Sequence, residues 1–318
     1  MMSQFDVFNG DADGICGILQ LRLAGLRSGT PITGAKRDIS LLNKLTSVSD
    51  ASIAVVDISF DQNRTSAERL LESGCEITWF DHHFPGQVPN HPNLHTHINT
   101  NSLVCSSVII DEFLKGQHRA WAVVAAFGDN LSSTALNLSE KLELDRNNLE
   151  LLRRLGQAIN YNAYGDSKDD LIFDPEIILL ELEIAETPER FSRESDILTT
   201  IEGEMENDIA NASRLEVETV AEHFRVVYLP DEKWCRRVMG ILANRLANEF
   251  PDLAHLLLSE KDGAYVASIR APKSNPTGAQ EVARQFPTGG GREAAAGINR
   301  IGEEDLPALI DAMAARFF

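Results

Sequence analysis

The chain has 318 residues, of which 43% are hydrophobic and 24% are charged, and its formal net charge is −19 at pH 7. This length allows two domains with separate hydrophobic cores. The acidic balance and the lack of a basic stripe argue against a long duplex nucleic acid as a partner. No apolar run approaches the length of a membrane span, so no membrane partner is expected. Four scattered cysteines and an N-terminus without signal-peptide character predict a reduced, cytoplasmic protein.

The first half of the chain alternates predicted strands with predicted helices. Apolar runs of strand length are separated by segments in which apolar residues recur at helical spacing. The predicted strands are 5–8, 53–56 and 76–80, and the predicted helices are 15–26, 62–73, 105–113, 120–127 and most of 145–183. Alternation of this kind predicts βαβ units and a parallel sheet.

The second half begins with an acidic segment, 181–222, whose charges are adequately explained by a solvated helical face. Predicted strands and one predicted helix follow it, at 224–229, 235–250, 254–258 and 265–270. The sequence therefore predicts an α/β fold with two domains and a connector. These are a parallel-sheet domain (1–190), an acidic helical connector (191–222) and a smaller α/β domain (223–318).

Acidic and imidazole side chains follow three of the predicted strands. Asp11 and Asp13 come after the first strand, Asp57 after the second, and Asp81-His82-His83 after the third. Ligands of open α/β sheets bind at the carboxyl ends of the strands. Carboxylate oxygens suit Mg²⁺ or Mn²⁺, and imidazole nitrogens favour Mn²⁺. The pattern predicts a metal site, although Asp11 or Asp13 alone would be explained as a helix N-cap.

These residues resemble the motifs of the DHH phosphoesterases that carry a C-terminal DHH-associated domain. The resemblance covers nearly the whole chain and implies a long connecting helix between two domains. The motifs are Asp11-Ala12-Asp13-Gly14, Asp57 in 55–59, Asp81-His82-His83, Asp129 in 126–130, and the glycine-rich run 289–297.

The resemblance implies a pair of Mn²⁺ ions, or Mg²⁺ ions, that activate a hydroxide for attack on phosphorus. Asp11 would bind one ion and Asp13 the other, with Asp57 between them, and His82 and Asp129 would complete the second site. Asp57 and His82 would thus be catalytic.

His83 is the third predicted catalytic residue, since it would contact the scissile phosphate or donate a proton to the leaving oxygen. A purely structural histidine is the alternative. Asp81 would orient a neighbouring imidazole.

The chain departs from the family pattern ahead of Asp11. Many members carry a histidine there that binds the first ion, whereas residues 5–10 of this chain contain none. RecJ-type members have an aspartate at the position of Asn9. The first ion would then be weakly held or would take Asn9 as a ligand. A separate group of histidines at 91, 95 and 97 lies among Asn and Pro residues that favour a surface loop rather than a second metal site.

The glycine run near the C-terminus predicts an anion-binding segment. Gly289, Gly290 and Gly291 allow backbone N–H groups to approach an anion, and a helix starting near residue 293 would point its N-terminus at it. By resemblance, Arg292 replaces a family histidine while keeping a cation for phosphate. Arg270 matches a family arginine that faces the substrate.

The resemblance predicts a divalent-metal-dependent phosphoesterase with short nucleotide substrates. These are oligoribonucleotides, linear or cyclic dinucleotides, or 3′-phosphoadenosine nucleotides, and a homodimer is compatible with the sequence. A RecJ-type single-strand exonuclease is one alternative. A catalytically impaired nucleotide-binding regulator is another, because the upstream histidine is missing and Arg292 replaces a histidine. Inorganic polyphosphate is disfavoured, since relatives with that activity carry a different C-terminal domain.

Overall fold

The computed structural model describes residues 2–215, 217–221 and 223–317. The backbone divides into two compact units, Met1–Gly203 and Glu204–Phe318. The predicted limit of the connector at residue 222 and the final residue of the predicted C-terminal domain lie outside the described residues. All four cysteines are buried and free. Within the described part of the chain, no helix has the length and apolar character needed to cross a bilayer.

The first unit is built on a five-stranded sheet in the order β2-β1-β3-β4-β5, in which every pair is parallel. This architecture confirms the predicted parallel sheet. The strands are β1 (Gln4–Phe8), β2 (Thr30–Ile32), β3 (Ser52–Val56), β4 (Glu76–Asp81) and β5 (Leu94–Ile98). The helices are α1 (Ala12–Leu23), α2 (Phe60–Glu72), α3 (Ser106–Phe113), α4 (Arg119–Gly128), α5 (Ser132–Ser139), α6 (Arg146–Asn162), α7 (Pro175–Ala185), α8 (Pro188–Glu194) and α9 (Ile197–Ala212), which crosses into the second unit. Short 3₁₀ turns occur at Leu41–Lys44, Glu140–Leu142 and Lys168–Asp170.

Burial explains why the central strands of this sheet read as continuous apolar runs. Four of the five residues of β3 are buried, as expected for a strand that is covered on both faces. On one face, Phe60 of α2 packs against Trp79 of β4 in a common apolar cluster. Helix α1 is buried over residues 12–21, because α3, α4 and α7 surround it. The site described below therefore rests on rigid, fully covered elements.

Two strands of the first unit, β2 and β5, were not predicted, and β5 changes the interpretation of the histidines at 91, 95 and 97. Strand β5 contains His95 and His97, so the prediction of a loop there was wrong. Its polar sequence carries no apolar alternation, because β5 is an edge strand that is only partly covered. The acidic segment 181–222 is not one continuous helix. Glu186 has a positive φ of 62°, and Pro188 starts a new helix, so the segment forms α7, α8 and α9.

The second unit contains a six-stranded mixed sheet in the order β10-β11-β9-β8-β7-β6. Only the β7–β8 pair of this sheet is parallel. Its elements are β6 (Val217–Ala221), β7 (Phe224–Leu229), α10 (Lys233–Glu249), β8 (Ala254–Lys261), β9 (Ala264–Arg270), α11 (Ala279–Ala283), β10 (Gly289–Gly291), β11 (Ala295–Ile301), a 3₁₀ turn (Glu303–Asp305) and α12 (Leu306–Arg316). Separate apolar clusters cover the two faces of the sheet. The predicted smaller α/β domain is confirmed.

The glycine run is not followed by a helix, which corrects the prediction of a helix N-terminus near residue 293. Residues 289–291 form β10, which pairs with β11 in an antiparallel hairpin. The residues after the turn alternate in burial, with Ala296 and Ile298 facing the core. Burial that alternates with every second residue is typical of a strand. A helix N-terminus that could bind an anion is therefore not formed at residue 293.

Close packing of α4 against α6 fixes the end of α4, where Asp129 follows. A Cβ atom on Gly156 of α6 would overlap the carbonyl oxygen of Val124 and would lie 2.8 Å from the backbone nitrogen of Gly128. Backbone atoms cannot move aside as a flexible side chain can, so only glycine fits at this crossing.

We therefore expect Gly156→Ala to lower the free energy of unfolding by about 1–3 kcal/mol, measured by urea denaturation. The matched control is Gly203→Ala in α9, where a Cβ atom would meet open space. That control should be neutral or stabilising by about 0.5–1 kcal/mol. Equal effects of the two substitutions would contradict the packing argument.

Candidate metal centre

The predicted site residues converge at the carboxyl ends of three adjacent strands, β1, β3 and β4. Residues 9–13 follow β1, Asp57 follows β3, and Asp81 ends β4. The site lies between β1 and β3, where the connection from β1 goes through α1 to β2 on one side and the connection from β3 goes through α2 to β4 on the other. Gly14 permits the tight turn from β1 into α1, since a Cβ atom there would overlap the carbonyl oxygen of Asn9.

Asp57 is buried and has a left-handed backbone, with φ of 57°. This conformation is costly for a residue other than glycine and is kept only where the surroundings enforce it. The N–H of Asp57 donates to Phe80 O at 3.0 Å, and Trp79 Nε1 donates to Ile58 O at 2.8 Å. Ser106 Oγ donates to Asp57 Oδ1 at 3.2 Å. These contacts aim the carboxylate into the site.

Asp13 is oriented by the N-terminus of α3. Its Oδ2 accepts the N–H of Ser106 at 2.7 Å, and its Oδ1 accepts the N–H of Ser107 at 2.8 Å. Unpaired N–H groups at a helix start stabilise a negative charge. The carboxylate is therefore fixed before any ion binds.

His82 presents one defined nitrogen to the site. Its Nδ1 lies 3.0 Å from Val104 O, and because a carbonyl oxygen only accepts, Nδ1 carries the proton. Its Nε2 lies 3.3 Å from Asp57 Oδ1 and 3.9 Å from Asp129 Oδ2. A neutral imidazole held in this tautomer is a typical metal ligand with a backbone carbonyl behind it.

Asp81 holds His83, as the sequence predicted for one of the imidazoles. Asp81 is fully buried, and its Oδ1 lies 2.8 Å from His83 Nδ1 while also accepting the N–H of His82 at 2.9 Å. The hydrogen bond that His83 makes to Asp81 raises the pKa of His83. Burial lowers this pKa, and the charges of Asp81, Asp13 and Asp11 raise it. The side chain of His83 is 47% exposed, so a protonated imidazole can reach a bound molecule.

Two groups of side chains, which share His82, have the donor atoms to hold a divalent ion. Ligand atoms of Asp13, His82 and Asp129 lie within 4.8 Å of one another, and those of Asp57, His82 and His83 do so as well. Burial raises the pKa of Asp57, and the charges of Asp13 and Asp11 raise it further. Burial and the same two charges raise the pKa of Asp129 to about 7. Crowded carboxylates with raised pKa values are the groups that a cation would stabilise.

Asp11 and Asp129 also contact a lysine that the sequence did not point to. Lys36 Nζ lies 2.6 Å from Asp11 Oδ2 and 3.6 Å from Asp129 Oδ1. Burial raises the pKa of Asp11, but the Lys36 ammonium lowers it by more. The net shift of the Asp11 pKa is therefore downward. Lys36 follows the unpredicted strand β2, so no motif marked it.

Asp11 Oδ1 is engaged by the backbone, where it accepts the N–H groups of Asp13 and Gly14 at 3.1 Å each. Asp11 is thus the N-cap of α1, the role that competed with metal binding in the sequence. Asn9 has similar local partners, since its Oδ1 accepts the N–H of Asp11 at 3.3 Å and its Nδ2 donates to Lys36 O at 3.4 Å. Asp11 and Asn9 therefore have hydrogen-bond partners within the chain in this structure, and their part in binding a first ion stays a prediction.

The site opens into a cavity of about 590 Å³. Asp57, His82, His83 and Asp129 line it, together with Asn9, Asp11, Lys36, Ile39, Ser59, Asp61, Gln62 and Phe84. Phe84 directly follows the Asp-His-His motif, and its side chain is 76% exposed. An exposed aromatic ring beside a metal-binding set offers a stacking surface for a planar ligand group.

In the second unit, Arg270 lines a cavity of about 380 Å³ with Asn244, Asn248 and Lys273. Its guanidinium donates to Asn244 Oδ1 and to Ser268 Oγ at 3.0 Å each, so neutral oxygens hold it in place. Burial lowers its pKa. Arg292 is exposed and is not among the described residues that line this cavity, and the glycines 289–291 lie in the hairpin strand β10. The backbone of Arg292 is nevertheless near this cavity, since its N–H donates to Ala295 O, and Ala295 pairs with Arg270 and lines the cavity.

The three histidines near β5 have structural partners. His95 Nε2 lies 3.3 Å from Glu76 Oε1, and the ring of His97 stacks on Phe80 with centroids 4.6 Å apart. Among the described residues, the groupings able to hold a metal include none of the histidines at 91, 95 and 97.

The Asp81–His83 contact predicts a measurable pKa difference. In metal-free protein, Asp81→Asn should lower the pKa of His83, because the charged acceptor that stabilises the imidazolium is removed. The measurement is an NMR titration of the imidazole carbon-bound protons. Asp145→Asn, at the N-cap of α6, should leave the His83 titration unchanged. An unchanged His83 pKa in Asp81→Asn would contradict the assigned role of Asp81.

A comparison with known protein families identifies one domain, and this domain lies in the second unit. A model of the DHHA1 domain matches residues 222–317. A search of curated proteins finds no match. Among solved structures, the exonuclease RecJ bound to manganese has a TM-score of 0.68 at 20% identity, over 99% of this chain and 91% of that chain.

Two further solved structures cover the whole chain. A DHH-domain protein, described as a member of the s1p family of ribosomal proteins, has a TM-score of 0.66 at 14% identity, over 99% of this chain and 86% of its own. The pGpG-specific phosphodiesterase PggH from Vibrio cholerae has a TM-score of 0.56 at 14% identity, over 99% of both chains. At these identities the likeness shows the fold, and the domain match identifies residues 222–317 as a DHHA1 domain, which is the C-terminal domain that the motifs predicted.

Proposed function

We propose that this protein is a divalent-metal-dependent phosphoesterase that hydrolyses short nucleotides. The observation that carries the proposal is that Asp57, His82 and Asp129 line a cavity together with the exposed ring of Phe84, while the buried Asp13 lies close to His82 and Asp129. Two proteins of the same fold support it, since one is titled a manganese-bound exonuclease and the other a phosphodiesterase for the dinucleotide pGpG.

In this proposal, Asp13, Asp57, His82 and Asp129 hold a Mn²⁺ or Mg²⁺ ion. The ion would polarise the phosphoryl group and make an attacking water more acidic. Asp57 would accept a hydrogen bond from that water, since Ser106 already fixes its carboxylate. His83 would donate a proton to the leaving oxygen, because its hydrogen bond to Asp81 favours the imidazolium.

The substrate is proposed to be short. Phe84 and the partly exposed Ile39 would stack on one nucleobase near the reacting phosphate. In the second unit, Arg270 is proposed to bind a phosphate group, since neutral oxygens hold its guanidinium in place. The net charge of −19 disfavours tracking along a long strand. Linear dinucleotides, short oligoribonucleotides, cyclic dinucleotides and 3′-phosphoadenosine nucleotides are the proposed class.

The test is Mn²⁺-dependent release of nucleotide or phosphate from a panel. The panel holds a linear diribonucleotide, a cyclic dinucleotide, a short oligoribonucleotide, a 3′-phosphoadenosine nucleotide, long single-stranded DNA and polyphosphate. We expect turnover of a short nucleotide, and Asp57→Asn should lower kcat/KM by about 10³-fold, which corresponds to about 4 kcal/mol. Asparagine tolerates the positive φ of Asp57, so the variant should fold.

Asp50→Asn is the matched control, because Asp50 also has a positive φ, of 49°, and lies outside the cavity lining. It should retain full activity. Processive degradation of the long single-stranded DNA would favour an exonuclease of RecJ type. Nucleotide binding without turnover of any substrate would contradict the proposal and favour a nucleotide-binding regulator.

The stacking role of Phe84 makes a separate prediction about affinity. Stacking on one base contributes about 1–3 kcal/mol. Phe84→Ala should therefore raise KM for a short nucleotide by about 5- to 150-fold and change kcat little. Leu26→Ala removes a comparably exposed apolar side chain outside the cavity and should leave KM unchanged. An equal KM for wild type and Phe84→Ala would remove the argument for a base at this position.

A further inference from the structure

We propose that the ammonium group of Lys36 takes the place of a second metal ion, so that the centre binds one divalent cation per chain. This inference rests on the proposed metal-binding function of the strand-end carboxylates. The family resemblance implied two metal ions. In this proposal the centre holds one exchangeable metal ion, and the Lys36 ammonium supplies the second positive charge.

The contacts of Lys36 are those of a cation embedded in a site. Its Nζ lies 2.6 Å from Asp11 Oδ2 and 3.6 Å from Asp129 Oδ1, and it donates to Asn160 Oδ1 at 2.9 Å. An ammonium group has three donors, and these three oxygens surround it on the side of the cluster near Asp11. Lys36 therefore interacts with two of the aspartates predicted to bind metal.

The backbone of Lys36 is held as well, which distinguishes it from a mobile surface lysine. Its N–H donates to Ala163 O at 2.9 Å, just after α6, and its carbonyl oxygen accepts from Asn9 Nδ2 at 3.4 Å. Asn160 also belongs to α6 and in turn donates to Tyr164 Oη at 3.0 Å. The loop after β2 is thus tied both to the end of β1 and to α6.

The carboxylate oxygens that Lys36 and the start of α1 leave free are enough to bind one ion. Asp11 uses Oδ1 for the start of α1 and Oδ2 for Lys36. Asp129 divides its two oxygens, with Oδ1 towards Lys36 and Oδ2 towards His82 Nε2. A second divalent ion beside Asp11 would lie against the ammonium group, and like charges a few ångströms apart repel strongly in a buried site. Such an ion would have to displace Lys36.

Lys36 also lines the cavity that contains Asp57 and His83. The ammonium group at this wall can donate to a non-bridging oxygen of the substrate phosphate. Unlike a bound ion, it does not dissociate when the metal concentration is low. We therefore expect the protein to contain one tightly bound ion when saturated with Mn²⁺, and to show no second, weaker activating site.

The test is the Mn²⁺ content of the full-length chain without substrate. Stoichiometry is measured by calorimetry and elemental analysis, and the EPR spectrum of bound Mn²⁺ distinguishes an isolated ion from a spin-coupled pair. Wild type should bind one ion per chain with an uncoupled spectrum. Lys36→Glu places a carboxylate beside Asp11 and should bind two ions with a coupled spectrum.

Arg37→Glu is the matched control, because it makes the same change of charge one residue away on a side chain that is 57% exposed and paired with Asp166. It should bind one ion. Two coupled ions in wild type would overturn the inference, even if Lys36→Glu does not fold. A folded Lys36→Glu that still binds one ion would also overturn it.

The outcome is separable from that of the proposed function. Hydrolysis of a short nucleotide by a protein with two bound ions would keep the proposed function and reject the role of Lys36. One bound ion without hydrolysis of any panel substrate would reject the proposed function and keep the role of Lys36.

Discussion

Repulsion among buried carboxylates is the constraint on which the strand-end site depends. Five aspartates with little or no solvent exposure face one another there: Asp11, Asp13, Asp57, Asp81 and Asp129. Three of them have a local partner that offsets their charge. Asp11 contacts Lys36 and the start of α1, Asp13 contacts the start of α3, and Asp81 contacts His83. Burial and the charges of the other carboxylates raise the pKa values of Asp57 and Asp129, so a bound cation would stabilise the ionised form of both groups.

The same contacts explain how the site can be ready for an ion before the ion arrives. Helix starts, a strained backbone at Asp57 and a single tautomer of His82 fix the donor atoms through groups that lie outside the centre. Preorganised donors do not need to reorganise when charge develops. The first unit therefore supplies both the ligands and their orientation, and the buried sheet beneath them supplies the rigidity.

Much of this arrangement could be predicted from the sequence, because short motifs directly follow apolar strands. The strand ends at Asp57 and Asp81 are visible from buried runs of β-branched and aromatic residues. Lys36 could not be predicted, since it follows a three-residue edge strand, and its partner Asn160 is distant in the chain. The hairpin at 289–301 was mistaken for a helix start because glycines permit both, and only the alternating burial that follows them decides.

We propose that the strand-end carboxylates bind a single divalent ion beside a fixed lysine. Anomalous diffraction at the manganese edge, from crystals grown with Mn²⁺, locates any bound ion. We expect one peak per chain, bounded by Asp13, Asp57, His82 and Asp129, with the Lys36 ammonium still on Asp11. Two peaks in the cluster, or no peak there at all, would contradict it.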